Sequence, residues 1–369
     1  MKIYHVSDLH IGRDFNGYDL CEDQRYTLMH LCDMVEKEKI KYLLLAGDIF
    51  DKYNPSNEAT ELFEDFITRL SGLMTRVIII SGNHDSKARL GYLKSFLRKD
   101  NIYIYTEIPE NPIEFSDDKI AIMPIPYLHD FELKSRYKDI SDNAIDIYKS
   151  LIADFNSKVT PGYTKICMCH NFILGGEVST SERTLSVGGC DEMPAGLFKG
   201  FDYTALGHLH ILQKMGHNIY YSGSIMKYST SEFKNNNSLI EFETSDNSVK
   251  IIPLPQKRGA RIIKDSIDNI LANAIVDPSP NDFIAVELTD NGVVYNAFSR
   301  ISEYYPYLVS LNQASRRAKI EENEVVEVDE NASPKEIFNE FYSFITKEAP
   351  SEDEIRVFNE ALSENINEG

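Results

Sequence analysis

Ile78-Ile79-Ile80-Ser81-Gly82-Asn83-His84-Asp85 is a β-branched apolar run that stops in two small residues, then delivers an amide, an imidazole and a carboxylate. Extended back to Val77, the run reads as a strand buried on both faces. Open α/β sheets bind ligands beyond the carboxyl ends of such strands. Gly82 has no Cβ, so the chain can turn sharply there and aim the next three side chains into one crevice. The same pattern recurs four times. Lys2 to Ser7 ends in Asp8-Leu9-His10, and Tyr42 to Ala46 ends in Gly47-Asp48 with Asp51 three residues on. Thr164 to Cys169 ends in His170-Asn171, and Asp202 to Leu206 ends in Gly207-His208-Leu209-His210. In the D-x-H spacing both side chains fall on one side of an extended backbone.

The stretches between these strands are helical in period. Glu22–Lys39 carries Met29, Cys32 and Val35 on one stripe; Asn57–Leu70 carries Ala59, Leu62, Phe63, Phe66 and Leu70. Strand, helix, strand, helix, strand at these lengths implies βαβ units and a parallel sheet. Leu90–Leu97 and Ile140–Phe155 read as further helices, and Lys119–Ile125 as a strand. Short strands near Asn218–Ser222, Leu239–Phe242 and Val249–Pro253 are expected to complete a second sheet. The character shifts around Pro253–Arg261, which places a boundary at 255/256. Residues 256–320 alternate strand-like pieces (Ala260–Ile263, Phe283–Leu288, Tyr307–Leu311) with helix-like pieces near 266–275 and 293–304, a small α+β domain. Residues 321–331 form an acidic linker. In 332–369, Ser333-Pro334-Lys335-Glu336 and Ser351-Glu352-Asp353-Glu354 are capping boxes. Each precedes an apolar face: Ile337, Phe338, Phe341, Tyr342, Phe344 and Ile345 in the first helix, Ile355, Phe358, Ala361 and Leu362 in the second. Two short helices cannot bury that much aromatic surface alone; they pack back on the body or dock a partner helix or coiled coil.

The 369 residues allow two or three domains, and 42% hydrophobic with 26% charged residues is ordinary for a globular protein. No apolar run approaches the ~18 residues of a membrane span. Lys2 already opens the first strand, which leaves no signal peptide and sets the expectation of a cytoplasmic protein. Five cysteines (21, 32, 167, 169, 190) without C-x-x-C spacing read as reduced, mostly core residues. The net charge of −20 speaks against nucleic acid at first sight, but residues 321–369 alone carry 15 Asp/Glu and 3 Lys/Arg, leaving −8 on the rest. Bound dications would offset part of that remainder.

Asp8, His10, Asp48, Asn83, His84, His170, His208 and His210 are therefore a candidate site at five strand ends. Imidazole, carboxylate and amide oxygen suit Mn²⁺, Fe²⁺ or Zn²⁺, and the lack of thiolates argues against a structural zinc cage. A pair of ions needs an anionic bridge, for which a carboxylate such as Asp48 is the natural choice. D-x-H, G-D, G-N-H-D, a lone His and G-H-x-H, in that order, resemble the calcineurin-like metallophosphoesterases. Asp8-Leu9-His10-Ile11-Gly12, Gly47-Asp48-Ile49-Phe50-Asp51, Ser181 to Gly189 (SERTLSVGG) and Tyr221-Ser222-Gly223-Ser224 narrow the resemblance to the nuclease subunits of bacterial SbcCD complexes. It covers about residues 1–255 by motif, and beyond them by the order of parts.

The resemblance implies an α/β fold: a two-sheet metallophosphoesterase sandwich flanked by helices, a small α+β cap, and a C-terminal helical tail that binds a partner. It places one metal on Asp8, His10, Asp48 and His210, and a second on Asp48, Asn83, His170 and His208. His84 matches the family's catalytic histidine. The implied reaction is metal-assisted phosphodiester hydrolysis with in-line attack, in 3′→5′ exonuclease and hairpin-opening endonuclease work on DNA. Manganese, an SbcC-like coiled-coil ATPase supplying ATP-driven access, and a homodimer within a larger assembly are also implied. Asp51 stands where archaeal and eukaryotic relatives often place a histidine. Ile225 stands where bacterial relatives commonly have proline.

Asp85 either orients His84 or caps the following helix. Arg13, Arg89 and Arg183 flank the motifs as phosphate-gripping candidates or as structural ion-pair partners. His5 reads as a satisfied core histidine, and His30, His129 and His217 as surface or helix positions. Aromatic residues do not interleave with basic ones, so no single-strand stacking platform is read from the sequence. Two rival functions share the ligand set: a phosphatase or phosphodiesterase acting on small molecules or phosphoproteins, and a non-catalytic scaffold.

Overall fold

The computed structural model describes residues 1–182, 193–290, 292, 294–313 and, in the tail, 337–339, 341–343, 349–351, 354–356 and 358. They fall into two compact units, Met1–Gln313 and Ala314–Gly369. In the first, two six-stranded sheets stack face to face. Parallel strands Lys2–Val6, Tyr42–Ala46, Arg76–Ile80 and Ile102–Tyr105 form most of one sheet. Ile120–Ile125, Thr164–His170, Tyr203–Gly207 and Ile219–Tyr221 form the parallel centre of the other.

Side-chain alternation explains why the strands read as uninterrupted apolar runs. Ile78 and Ile80 point into the core between the sheets with Ile3, Leu44, Ile122, Met168 and Ala205. Val77 and Ile79 point the other way, against Leu31, Leu62 and Phe66 of the helices Cys21–Lys37 and Asn57–Ser71. The second sheet is covered likewise by Tyr148, Ile152 and Phe155 of helix Ala144–Lys158. Four layers, helix–sheet–sheet–helix, leave both sheet faces buried, each such side chain contributing on the order of 1.5–3 kcal/mol. His5 lies in the middle layer at 0% exposure, its Nε2–H donating to the Leu206 carbonyl (3.1 Å) and its Nδ1 facing the Tyr203 hydroxyl (2.9 Å). It is the core histidine expected.

Several expectations give way. Ser238–Glu243 and Ser248–Pro253 cover the last two strands expected in the second sheet; they join the first, Ser238–Glu243 pairing antiparallel with Lys2–Val6. A strand's partner is non-local, and nothing in its own residues names the sheet. The helix expected at Leu90–Leu97 is two short pieces, Lys87–Leu90 and Lys94–Leu97, broken where Leu93 takes φ +63°. The helix expected near 293–304 is confined to Ala297–Ser302, entered through Asn296 at φ +52°. Strands Ile102–Tyr105, Ile113–Phe115 and Gln213–Gly216 and helix Asp130–Arg136 are too short to show a period, and the sequence reading passes over them.

Past residue 255, Ala260–Asp265, Phe283–Leu288 and Leu308–Gln313 form a three-stranded parallel sheet with helices Ile267–Ala274 and Ala297–Ser302 in its crossovers. Strand and helix alternate as βαβαβ, with all three strands parallel. Phe283, Ala285 and Val309 belong to the same apolar cluster as the first sheet's outer helices. Arg258 pairs with buried Asp23 and lies 4.1 Å from the Tyr307 ring centre. In the tail the second capping box is formed: the Ser351 amide and hydroxyl both donate to Glu354 Oε2 at 2.7 Å. The first, at Ser333, lies outside the described residues. Cys32, Cys167 and Cys169 are buried and Cys21 is half-buried, all as free thiols; Cys190 is not among the described residues.

Candidate metal centre

The loops that leave the strands are held by their backbones. Asp8 N–H donates to the Gly47 carbonyl (3.0 Å), His10 N–H to that of Asp48 (3.0 Å) and Ile11 N–H to that of Ile49 (2.9 Å). This pairing sustains unusual conformations: Asp8, His10, Asp48 and His208 have φ of +54°, +42°, +49° and +107°. Four of the seven anticipated ligands thus sit in backbone regions that cost on the order of 1–3 kcal/mol each and concentrate at functional sites. Gly82 is required for a reason other than a sharp turn. Its φ is not positive, but a Cβ there would stand 2.1 Å from Asp48 Oδ1. At Gly207 a Cβ would lie 1.9 Å from the Ala46 carbonyl oxygen.

The side chains converge. Nε2 of His10 and Nε2 of His210 face each other at 3.0 Å. Asp48 Oδ2 lies 3.6 Å from His10 Nε2 and 3.4 Å from His170 Nε2. Asn83 Oδ1 is 3.1 Å from His170 Nε2 and 3.0 Å from His208 Nδ1. Asp8 accepts the His208 backbone N–H at 3.0 Å. Three triads bring their ligand atoms within 4.8 Å of one another: Asp8–His10–His210, Asp8–Asp48–His170 and His10–Asp48–His84. Two of them share Asp48.

The far side of each ring decides what this cluster can hold. His170 Nδ1–H donates to the Ala46 carbonyl at 2.7 Å, which makes Nε2 the nitrogen that faces the cluster. His10 Nδ1 lies 3.4 Å from Asp51 Oδ1, and His210 Nδ1 lies 2.8 Å from Ser181 Oγ and 3.3 Å from Glu232 Oε1. Those contacts turn the two Nε2 atoms towards each other. Imidazole nitrogens meeting carboxylate and amide oxygens are a donor set that a divalent cation completes, and outer partners of this type orient metal-bound imidazoles.

Charge balance without ions agrees. Burial pushes His10 and His208 down to about 3, so both are neutral and ready to ligate. Burial pushes Asp8 up to about 6 against the pull of His170 and His210. For Asp48, burial is outweighed by His170, which holds the carboxyl well below its usual range. His170 in turn is raised to about 9, burial being overcome by Asp48.

A family model for the calcineurin-like phosphoesterases matches residues 1–212. The chain belongs to that family. A second model, described as Type 5 capsule protein repressor C-terminal domain, matches this phosphoesterase over residues 258–346. A curated relative is the SbcD subunit of the nuclease SbcCD from Staphylococcus epidermidis (strain ATCC 12228 / FDA PCI 1200), 30% identical over 323 residues that span 85% of each chain. Solved structures resemble it remotely. GAP50, the anchor in the inner membrane complex of Plasmodium, matches with a TM-score of 0.38 and 14% identity, covering 85% of this chain and 96% of that one. A cold-active protein-tyrosine phosphatase of a psychrophile, Shewanella SP., gives 0.27 and 13%, covering 68% and 80%. Neither bears on what this phosphoesterase does.

His84 stands beside the ligands. Its backbone N–H donates to Asp48 Oδ1 (2.9 Å), its Nδ1–H donates to the Asp51 carbonyl (2.6 Å), and its ring meets that of His10 edge-on at 4.8 Å. Nε2 is buried with no protein partner. Asp85 does neither of the things anticipated. Its carboxylate accepts the backbone N–H groups of Ile49, Phe50 and Gly82 at 3.1, 2.9 and 2.8 Å, while Ser86 caps the next helix. It ties the Asp48 loop to the Asn83 loop. Arg13 is engaged with Asp51 (3.3 Å) and the Tyr228 ring (5.1 Å), the structural alternative. Arg89 is exposed and makes no ion pair among the described residues; Arg183 lies outside them.

Sequence reading misses the parts played by Asp51, Glu232 and Glu182. Asp51 touches both His10 and His84. Glu232, 1% exposed, gathers the hydroxyls of Ser179, Ser181 and Ser229 and the Tyr228 N–H around His210. Glu182 accepts the His210 backbone N–H. A buried glutamate in a short 3₁₀ turn has no periodic signature; only its burial, invisible in one sequence, marks it.

Proposed function

We propose that this chain is the nuclease subunit of an SbcCD-type DNA repair complex. The observation that carries the reading is the convergence of Asp8, His10, Asp48, Asn83, His170, His208 and His210 on one cluster, with the unpartnered Nε2 of His84 beside it. Similarity to a nuclease subunit across 85% of both lengths supports the substrate class. Asp8, His10, Asp48 and His210 would hold one ion, and Asp48, Asn83, His170 and His208 the other. Two divalent cations, manganese by preference, would neutralise the phosphodiester's non-bridging oxygens and activate water for in-line attack.

The chain's own groups do the rest. Asp48 reaches both half-sites. His84 is locked by its Nδ1–H to the Asp51 carbonyl, so its Nε2 is the atom that meets substrate. There it steadies charge developing on phosphorus oxygens or passes a proton to the leaving 3′-oxygen. Hydrolysis runs as 3′→5′ exonuclease and hairpin or single-strand endonuclease, with access opened by the ATP cycle of an SbcC-like coiled-coil partner. The tail is that partner's dock: Phe338 stacks on Phe358 at 4.2 Å within it, yet Ile337 and Phe341 stay 42% and 65% exposed. Tyr92, Leu93 and Phe96 form an exposed apolar group at a strained turn, which supports a homodimer within the larger assembly. No described helix is long and apolar enough to cross a membrane, and we place the complex in the cytoplasm.

His84→Ala is the test. Cleavage of hairpin DNA in Mn²⁺ should fall by about 10²–10⁴-fold while bound metal per chain is unchanged. Full cleavage by the variant would remove His84 from the chemistry. A wild-type protein that hydrolyses a chromogenic phosphomonoester but no DNA would move the function to the rival phosphatase reading.

A further inference from the structure

Beyond the ligands, three rings lead outward from His170. Tyr127, His129 and Phe131 follow the strand Ile120–Ile125 at every second position. The Tyr127 N–H donates to the Ser81 carbonyl at 2.9 Å, which sets this segment beside the loop of Asn83 and His84. The Tyr127 ring meets His170 edge-on at 6.5 Å, and His129 lies 5.2 Å from Tyr127. Phe131 stacks on His129 at 5.7 Å, the planes 15° apart, and is 71% exposed. Its support is firm. Glu132, one residue on, accepts the His129 N–H (3.1 Å) and pairs with Lys87 (2.5 Å) from the turn after His84.

A single exposed phenylalanine is ordinary. An ordered file of rings that begins at a metal ligand and ends in an open apolar face is not, and a planar ring presented flat suits a planar partner. We infer that the Tyr127–His129–Phe131 strip stacks unpaired nucleobases of the strand whose phosphate lies at the metal centre, Phe131 offering the outermost face. The inference rests on the nuclease reading above. Exposed Arg89, on the turn that Lys87 links to the strip, adds positive charge for the backbone. No run of aromatic and basic residues announces this platform; the fold assembles it from two loops.

The full chain, loaded with Mn²⁺, is given oligonucleotides whose single-stranded end carries either normal or abasic nucleotides next to the scissile bond. Affinity is read by fluorescence anisotropy and turnover by KM and kcat, with glycerophosphoglycerol as a ring-free phosphodiester control. The wild type should prefer the base-bearing strand about tenfold. Phe131→Ala should abolish that preference and raise KM about tenfold, with kcat and control hydrolysis within about twofold. Phe131→Tyr should restore the preference. A wild type without preference, a preference that survives Phe131→Ala, or a parallel fall in control hydrolysis overturns the assignment. Hydrolysis of the control with no cleavage of either oligonucleotide would instead sink the nuclease reading, and this one with it.

Discussion

The two halves of the proposed centre each set two imidazoles beside one oxygen donor, a carboxylate in one and an amide in the other, on different foundations. In the Asp8–His10–His210 half every candidate ligand is buried, and an acid stands behind each imidazole: Asp51 behind His10, Glu232 behind His210. In the Asn83–His170–His208 half, His170 leans on a backbone carbonyl, and Asn83 and His208 are half-buried. Anionic backing makes an imidazole a stronger donor, and enclosure slows exchange. The enclosed half should bind its ion as a near-permanent part of the protein. The open half, next to His84, should face the substrate and trade its ion more readily.

Asp48 is where the comparison is most easily broken, because it belongs to both halves. Asp48→Ala should remove the bridge and the N–H acceptor that seats His84, costing on the order of 10³-fold or more in ester hydrolysis. Metal analysis after dialysis should find the open half empty. If both ions remain and only turnover falls, the halves stand independently and Asp48 is not their link.

Glu232 separates the halves. Glu232→Gln keeps the shape and a hydrogen bond but removes the charge behind His210. Titration calorimetry with Mn²⁺ should show one site weakened about 10- to 100-fold and the other unchanged. Equal weakening of both would mean that the acid stabilises the whole pocket rather than one ligand.

What is legible in the sequence follows the same division between local and non-local. All seven candidate ligands stand out because strand period and ligand-type residue coincide within windows of a few residues. Asp51's part in seating His84 is hidden because a carbonyl oxygen carries it, and a carbonyl has no residue identity. Glu232 goes unread and Asp85 is misread because their partners lie on other loops, up to 36 residues away for Asp85 and Ile49. The sandwich is legible from the runs at 43–46 and 77–80. The placement of Ser238–Glu243 beside the first strand is not, since antiparallel pairing with Lys2–Val6 leaves no mark on either segment.

Proton release gives the finest test. His170 is raised to about 9 in the folded, metal-free protein, against an ordinary 6.5, so folding takes up a proton between those values. That contribution is complete below pH 6.5 and disappears as pH rises through 9. The melting temperature of protein stripped with EDTA should fall between about pH 7 and 9. His210, raised when Glu232 outweighs its burial, adds in the same direction. Glu232→Gln should therefore make the fall shallower without removing it. A cation at the open half displaces the His170 proton, so its affinity should climb about tenfold per pH unit over this window. Metal addition then stabilises most near pH 9, where the stripped protein is weakest. A melting temperature that stays level from about pH 7 to 9 without metal would mean that His170 is already neutral, and that Asp48 finds its compensating charge elsewhere.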